Sequence, residues 1–324
     1  MKDIIAQVNL SDLNNIFNKL DDKKNFFIFD EKIFDFYKDQ LNLEKFSNIF
    51  KLKNPEQDKN LTKFTECLNH FIDREVRRDC QVWAFGGGAV CDFSGFVAAS
   101  ALRGINWNCI PTSLLAMVDA SIGGKVGLNL PQGKNLVGAF HQPNAVYLCS
   151  SFLESLPADE FNSGLGEIIK YAFLSTEINR LVKKGAGVNE LIFACVKYKK
   201  EIIEKDFKEE GDRKVLNFGH TLGHAFEKEC SVPHGIAVIL GIYHTLKTFH
   251  YDLLTELYSL MDILKLDRNI LFTRPENLRN FWNLVYKDKK IIGDEVQFVQ
   301  LRSLGYPIIK KIKISELESK IAFK

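Results

Sequence analysis

Short apolar runs alternate with helical patterns through the first half of the chain. Four runs suit buried strands, at residues 25–29, 81–85, 105–110 and 145–149. Two segments between these runs are predicted to be helical. Residues 60–77 place their apolar residues on one helical face, and a helix is also expected over residues 89–101, with Asp92 in its first turn. Parallel strands need crossover connections, so this alternation predicts an α/β fold whose mainly parallel sheet is covered on both faces.

The pattern changes after Pro157 and becomes mainly helical as far as about residue 290. The clearest helical periods cover residues 160–174 and 190–206, and two β-like runs follow at 296–301 and 308–314. We therefore expect two domains, an α/β domain over residues 1–157 and a mainly α-helical domain over residues 158–324.

Composition narrows the class of protein. A length of 324 residues suits two domains, and a net charge of +2 gives no reason to expect nucleic acid or an anionic membrane as partner. The seven cysteines are scattered, without a Cys-x-x-Cys pair, which favours reduced thiols over a disulfide framework or a cysteine zinc site. The N-terminal residues do not resemble a signal peptide, and the apolar run 236–243 is too short to span a bilayer. We expect a cytoplasmic protein.

Two glycine-rich segments in the first half are candidate binding sites. Gly86-Gly-Gly88 follows a predicted strand and precedes a predicted helix, where α/β sheets bind dinucleotide phosphates. It is not the Gly-x-Gly-x-x-Gly fingerprint, and a tight turn also needs glycine for steric reasons. Residues 111–141 combine paired glycines with Asp119, Lys125, Lys134 and Asn135, and an anion held by ammonium groups and backbone N–H donors would explain such a segment. A solvated loop explains the same composition.

Histidines concentrate in the second half. His220, His224 and Glu227 lie at i, i+4 and i+7 on one helical face, and His234 follows ten residues after His224. Glu167 lies on an earlier predicted helix, and histidines with a carboxylate suit a zinc ion with one open position, although histidines can also serve in the core or as caps. A zinc protease is excluded, because Thr221 stands where its general base would be.

The motifs taken together resemble the 3-dehydroquinate synthases, a family of sugar-phosphate cyclases. The resemblance runs from about residue 54 to residue 300 and rests on Gly86-Gly-Gly-Ala-Val-x-Asp-x-x-Gly-Phe96, Arg103-Gly104, Pro111-Thr112, Val118-Asp-Ala-Ser-Ile-Gly-Gly-Lys125, Gly133-Lys-Asn135, Gly166-Glu-Ile-Ile-Lys170, Leu216-Asn-Phe-Gly-His-Thr-Leu-Gly-His224, His234-Gly235 and Asp288-Lys-Lys290.

This resemblance implies a phosphate-eliminating lyase of the shikimate pathway, which leads to aromatic amino acids. Such enzymes convert 3-deoxy-D-arabino-heptulosonate 7-phosphate to 3-dehydroquinate and phosphate. They use zinc or cobalt and an NAD that is reduced and reoxidised in each turnover. The steps are transient oxidation, phosphate elimination, re-reduction and intramolecular aldol closure.

The resemblance also implies roles for individual residues. The metal ligands would be Glu167, His220 and His234. Substrate hydroxyls would be held by Asp119, Lys170 and Asn217, and the substrate carboxylate by Lys199 and Arg213. The phosphate pocket would comprise Lys125, Asn135, His224 and Lys289, with Arg103 from a neighbouring subunit, which implies a homodimer.

For NAD the resemblance implies a longer set of contacts in the first domain. It comprises Asp30, Glu56, Lys59, Gly87, Gly88, Asp92, Thr112, Ser113, Leu115, Lys125, Lys134 and Ser155. One departure from the family pattern concerns the metal site. Ile236 stands where a glutamate often follows His-Gly, which predicts the loss of a supporting partner for the metal ligands.

Two other activities stay open. Cyclases that act on glucose 6-phosphate or sedoheptulose 7-phosphate use substrates without a carboxylate, so Lys199 and Arg213 argue for the dehydroquinate reaction. A metal- and NAD-dependent polyol dehydrogenase would have no use for the phosphate pocket of Lys125, Asn135 and Lys289.

Overall fold

The structure is a computed structural model that describes residues 4–287, 291–321 and 323. Its internal contacts divide the chain into two compact units, Met1–Leu156 and Pro157–Lys324, which we call unit 1 and unit 2.

Unit 1 is built on a parallel sheet of six strands. The order across the sheet is β1-β8-β5-β4-β2-β3, and each neighbouring pair is parallel. The strands described in this unit are β1 (Ile4–Gln7), β2 (Asn25–Asp30), β3 (Ile49–Leu52), β4 (Gln81–Gly86), β5 (Asn106–Pro111), β6 (Lys125–Leu130), β7 (Gly133–Phe140) and β8 (Ala145–Leu148). The predicted α/β fold is confirmed.

Helices cover both faces of this sheet, which explains why its central strands are continuous apolar runs rather than alternating ones. Residues 26–29 of β2 are all fully buried, and Phe27 stacks on Trp83 of β4. The helices described in unit 1 are α1 (Leu10–Phe17), α2 (Glu31–Tyr37), α3 (Pro55–Asp58), α4 (Leu61–Ile72) and α5 (Gly88–Ser100).

Helix α4 is shorter than the periodicity predicts. It ends at Ile72, whereas the apolar repeat continues to residue 77. Glu75 adopts a left-handed φ of 55°, and the backbone N–H of Val76 donates to the carbonyl of Phe71 at 3.1 Å. This closing turn buries Val76 although the helix has already ended. The apolar spacing of the sequence therefore continues beyond the last helical residue.

The glycine-rich segment 111–141 is largely regular structure and not a solvated loop. A π-helix spans Ala116–Ala120, and β6 and β7 form an antiparallel hairpin. Gly127 and Gly138 are register partners in this hairpin. A Cβ on either would meet a backbone oxygen of the opposite strand within 2.5 Å, so the strands can approach only because both are glycine.

Unit 2 is mainly helical, as predicted, and carries an antiparallel sheet of order β11-β10-β9. Its described helices are α6 (Ala158–Leu174), α7 (Thr176–Lys183), α8 (Val188–Lys205), α9 (His220–Glu229), α10 (His234–Phe249), α11 (Leu254–Ile263), α12 (Leu278–Tyr286) and α13 (Ile314–Lys320). The strands are β9 (Ile291–Ile292), β10 (Glu295–Ser303) and β11 (Tyr306–Lys313).

All seven cysteines fall within the described residues and carry free thiols. Over the same residues, none of the helices combines the length and the apolar character that crossing a membrane requires.

Candidate metal and substrate site

Helices α6 and α10 of unit 2 touch backbone to backbone. A Cβ added to Gly166 of α6 would meet the carbonyl oxygen of Gly235 at 2.2 Å, and a Cβ on Gly235 would meet the carbonyl oxygen of Ser163 at 1.8 Å. The Ser163 hydroxyl also accepts a hydrogen bond from the Gly235 N–H at 3.0 Å. This contact brings together the two neighbours of these glycines, Glu167 and His234.

A second glycine contact joins α9 to α10. A Cβ on Gly241 would meet the carbonyl oxygen of Gly219 at 1.9 Å. Gly219 has a left-handed φ of 78° and directly precedes His220, the first residue of α9. Each candidate metal ligand therefore adjoins a glycine at which two helices touch.

The three predicted metal ligands converge in unit 2. Ligand atoms of Glu167, His220 and His234 all lie within 4.8 Å of one another. The Nε2 atoms of His220 and His234 are each 3.4 Å from Oε1 of Glu167. Two imidazoles and one carboxylate are the donor set of many catalytic zinc sites, which keep a further position for substrate. These residues fit a divalent metal ion such as zinc.

Hydrogen bonds orient both imidazoles for metal binding. Nδ1 of His220 lies 3.1 Å from the carbonyl oxygen of Phe218, and Nδ1 of His234 lies 2.8 Å from Oε2 of Glu227. Carbonyl and carboxylate oxygens only accept, so each Nδ1 carries the hydrogen and each Nε2 is left to bind a metal.

The charges around this cluster shift three pKa values. Burial lowers the pKa of His220 to about 3, because Glu167 only partly offsets the loss of solvation. Burial also acts on His234, but hydrogen bonds to Glu167 and Glu227 outweigh it and raise the pKa of His234 to about 10. Burial opposes ionisation of Glu167, yet Lys170 and the histidines hold the pKa of that carboxyl well below its usual range. Without a metal, His234 is therefore protonated on Nε2 as well as on Nδ1. A metal cation bound to Nε2 would take the place of that second proton.

Lysine and arginine residues predicted to bind substrate are buried in unit 2. Lys170 forms an ion pair with Glu167, and both side chains are only 1% exposed. Lys199 on α8 is 6% exposed and Arg213 is 2% exposed. Arg213 donates through its guanidinium to the carbonyl of Phe207. Buried cations need oxygen partners, so the interior of this unit suits anionic groups.

Of the other residues of unit 2 predicted to bind substrate, His224 has its ring close to the metal cluster. The ring of His224 is centred 5.5 Å from that of His220 and 6.0 Å from that of His234. Asn217 donates from Nδ2 to Oε1 of Glu209 at 2.5 Å. Lys289 lies outside the described residues.

In unit 1 the predicted nucleotide turn sits at the carboxyl end of β4. Gly87 is the N-cap of α5, and a Cβ there would lie 3.4 Å from the Ser113 hydroxyl. A Cβ on Gly88 would lie 3.8 Å from the side chain of Leu115. Thr112 is buried and its N–H donates to the carbonyl of Gly86 at 3.0 Å. The turn leaves the N-terminus of a 13-residue helix available to a phosphate.

A buried lysine connects two other predicted sites of unit 1. The Lys59 ammonium donates to both Asp92 of α5 and Asn135 of β7. Asp92 was predicted to contact NAD and Asn135 the substrate phosphate, so the two predicted sites are neighbours. Beside them, Oε1 of Glu56 lies 3.6 Å from Nζ of Lys134.

Other predicted residues of unit 1 have local roles as well. Asp30 caps α2 by accepting from the Lys32 N–H at 3.0 Å, and burial raises its pKa. The hydroxyl of Ser155 lies 3.0 Å from that of Tyr37. Arg103 is exposed with a left-handed φ of 69°.

The last two predicted residues of unit 1 flank the paired glycines. Asp119 lies in the π-helix, and Lys125 begins β6 directly after Gly123 and Gly124, both at positive φ.

Two polar contacts of the sites were not predicted. Glu227 was noted only as part of a helical face, and its i+7 spacing from His220 was the available signal. Asn129 donates from Nδ2 to Glu56 at 2.9 Å and accepts from the Asn135 N–H at 3.0 Å, and no motif indicated it.

Solved structures share this fold at low sequence identity. A 2-epi-5-epi-valiolone synthase from Streptomyces hygroscopicus subsp. jinggangensis, solved with NAD+ and Zn2+, superposes with a TM-score of 0.85 at 20% identity over 99% of this chain and 96% of its own. A probable glycerol dehydrogenase from Sinorhizobium meliloti gives a TM-score of 0.64 at 13% identity, covering 98% and 95% of the two chains. The fold is therefore common to cyclases and dehydrogenases and does not choose between them.

Sequence comparison distinguishes between these two classes of enzyme. The family model for the 3-dehydroquinate synthase N-terminal domain matches residues 49–163, and that for the C-terminal domain matches residues 164–291. The 3-dehydroquinate synthase of Clostridium tetani is 36% identical over 329 residues, 95% of this chain and 88% of its own. That of Staphylococcus carnosus is 34% identical over 294 residues, 86% of this chain and 82% of its own. The chain belongs to the 3-dehydroquinate synthase family.

Proposed function

We propose that this protein converts 3-deoxy-D-arabino-heptulosonate 7-phosphate to 3-dehydroquinate and phosphate, with NAD and a divalent metal ion, zinc or cobalt, as cofactors. The observation that carries the proposal is the cluster of Glu167, His220 and His234, of which the first two are buried, in a chain of this family. A cluster of this composition is suited to activating a hydroxyl group.

The metal would be held by Glu167, His220 and His234, and NAD by unit 1. When bound, the metal supplies a Lewis acid for substrate hydroxyls and NAD accepts and returns a hydride. Lys170 keeps its ammonium beside Glu167, where its Nζ can donate to a substrate oxygen. Asn217 and Asp119 would hold the same hydroxyls, and the carboxylate of Asp119 would relay a proton from them.

Different residues would bind the two anionic groups of the substrate, its carboxylate and its phosphate. Lys199 and Arg213 would bind the carboxylate, and their burial supports this role, because a charge–charge hydrogen bond is stronger away from water. Lys125, Asn135, His224 and Lys289 would bind the phosphate. Arg103 would reach the phosphate from a partner subunit, and its exposure is consistent with a homodimer.

For NAD, unit 1 offers a Rossmann-like sheet and the N-terminus of α5. The pyrophosphate would lie against Gly87 and Gly88, with Asp92 near it. Thr112, Ser113, Leu115, Lys125, Lys134 and Ser155 would line the rest, and Asp30, Glu56 and Lys59 would lie towards the adenosine.

The test is a product assay on the purified protein. With the heptulosonate phosphate, Zn2+ and NAD in amounts far below the substrate, we expect phosphate and 3-dehydroquinate in equal yield, and a chelator should stop both. Glucose 6-phosphate, sedoheptulose 7-phosphate and glycerol serve as comparison substrates. Turnover of either sugar phosphate in preference, or net NADH from glycerol without phosphate release, would overturn the proposal.

A further inference from the structure

His234 lies between two carboxylates. Its Nε2 faces Oε1 of Glu167 at 3.4 Å, and its Nδ1 is 2.8 Å from Oε2 of Glu227. The imidazole nitrogens point in different directions, so one carboxylate can share a metal with His234 while the other holds the opposite side of the ring. The sequence suggested that this support was lost, because Ile236 lacks a carboxylate.

We infer that Glu227 is a positioning residue that sets the orientation and basicity of His234 for metal binding. This inference rests on the metal site of the proposed function. Glu227 does not belong to the metal cluster itself, and it acts through the Nδ1–H of His234. A carboxylate that accepts this hydrogen pushes electron density onto the imidazole, which strengthens the bond that Nε2 makes to a metal.

The fold keeps Glu227 in place through the contact between α9 and α10. Glu227 lies on α9 two turns after His220, and its side chain is mostly buried. Between these two residues, a Cβ on Gly223 would meet the carbonyl oxygen of Ala237 at 3.0 Å, so the two helices run close together along this length. The same packing that brings His234 to Glu167 therefore brings it to Glu227.

The two histidines differ in the kind of support they have. His220 is held by a neutral backbone carbonyl, whereas His234 is held by a charged side chain. In addition, the Lys170 ammonium offsets the charge of Glu167. A second carboxylate near the cluster then helps to balance the charge of a divalent cation. Substitution of Glu227 should therefore lower the affinity for the metal, and it should do this only when His234 is present.

The test measures Zn2+ affinity on chelator-stripped protein by competition with a chromophoric chelator. Glu227→Gln keeps the size and a hydrogen-bond acceptor but removes the charge, and Glu227→Ala removes both. We expect Zn2+ affinity to fall about 10- to 100-fold. Cobalt spectra of the same variants should show an altered visible band, because one ligand has changed its orientation and basicity. Circular dichroism confirms that each variant is folded.

Two controls make the result specific. Glu229→Gln removes a carboxylate from the same helix that accepts from Asn277 and Asn280 and should leave Zn2+ affinity unchanged. In a His234→Ala background, Glu227→Gln should cause no further loss. A loss under about tenfold in Glu227→Gln, or one that persists in the His234→Ala background, would overturn the inference. Failure of the wild-type protein to bind Zn2+ would overturn the proposed function itself.

Discussion

His220, His234 and His244 show how burial and partners give the same side chain different properties. His220 and His234 each have an oxygen acceptor at Nδ1 and face Glu167 with Nε2. His244 is only 1% exposed, and neither of its ring nitrogens has a hydrogen-bond partner among the described residues. Its ring stacks on Phe226 and lies 4.9 Å from that of Phe323. It serves as a neutral aromatic residue in the core of unit 2.

We predict that His244 makes the protein sensitive to mild acid. Burial, with Arg274 and Lys247 nearby, lowers the pKa of His244 to about 3 in the folded state, against about 6.5 when unfolded. Between these values the unfolded chain binds the extra proton, so the free energy of unfolding falls as the pH falls, by up to about 1.4 kcal/mol per pH unit. His244→Phe should remove this part of the slope.

The measurement is denaturant unfolding of both proteins at several pH values from 7 to 4. The difference in the free energy of unfolding between His244→Phe and the wild-type protein should be small above pH 6.5 and should grow in favour of the variant as the pH falls further. If the free energies of unfolding of the two proteins changed equally with pH, His244 would not titrate in this way.

At the scale of elements, glycines allow the close contacts between helices that bring the three candidate metal ligands together. Gly166 and Gly235 let α6 meet α10, and Gly219 and Gly241 let α9 meet α10. The sequence motifs contain Gly166, Gly219 and Gly235 but not Gly241, and the function of all four as points of backbone contact follows only from the packing. The hairpin of β6 and β7 is a similar case, because Gly127 and Gly138 become meaningful only when they are paired.

We predict that Gly235→Ala separates α6 from α10. The added methyl group would meet the carbonyl oxygen of Ser163, which is backbone and cannot rotate away. We expect a loss of about 1–3 kcal/mol in the free energy of unfolding, together with weaker Zn2+ binding as Glu167 and His234 move apart. Calorimetry and metal titration would measure the two effects.

Gly187→Ala is the matched control, because a Cβ at that position has no neighbour within 4 Å and φ is negative. It should cost less than about 1 kcal/mol and leave metal binding intact. Equal effects from both substitutions would argue against the packing role of Gly235.

At the scale of the whole molecule, the candidate metal ligands all belong to unit 2, and the glycine turn proposed to bind NAD belongs to unit 1. A metal bound to α6, α9 and α10 would link α6 to two helices that come well after it in the chain. Ligand binding to the folded state stabilises it by about 4 kcal/mol when the ligand is at a thousand times its Kd.

We therefore predict that metal removal loosens unit 2 selectively. Hydrogen exchange measured with Zn2+ and after chelation should show faster exchange in α6, α9 and α10, while the parallel sheet of unit 1 keeps its protection. NAD added to the chelated protein is the reciprocal control and should protect the start of α5. Uniform acceleration over both units would contradict a metal site confined to unit 2.

The amino-acid sequence alone was enough to predict the α/β fold, the helical second half and the family, all of which are confirmed. Periodicity is a local property, so the strands at β2, β4, β5 and β8 could be located without tertiary information. The family motifs are local as well, and they pointed to Glu167, His220 and His234 before any distance was known.

Tertiary structure decided what depends on residues far apart in the chain. It aligned the glycines of β6 and β7 and placed Lys59 between Asp92 and Asn135. It also gave His234 a carboxylate partner in Glu227, whereas Ile236 predicts the loss of a supporting partner for the metal ligands. The physical reason is that a hydrogen bond or a backbone contact depends on distance in space, whereas spacing along the chain determines distance only within a single helix or strand.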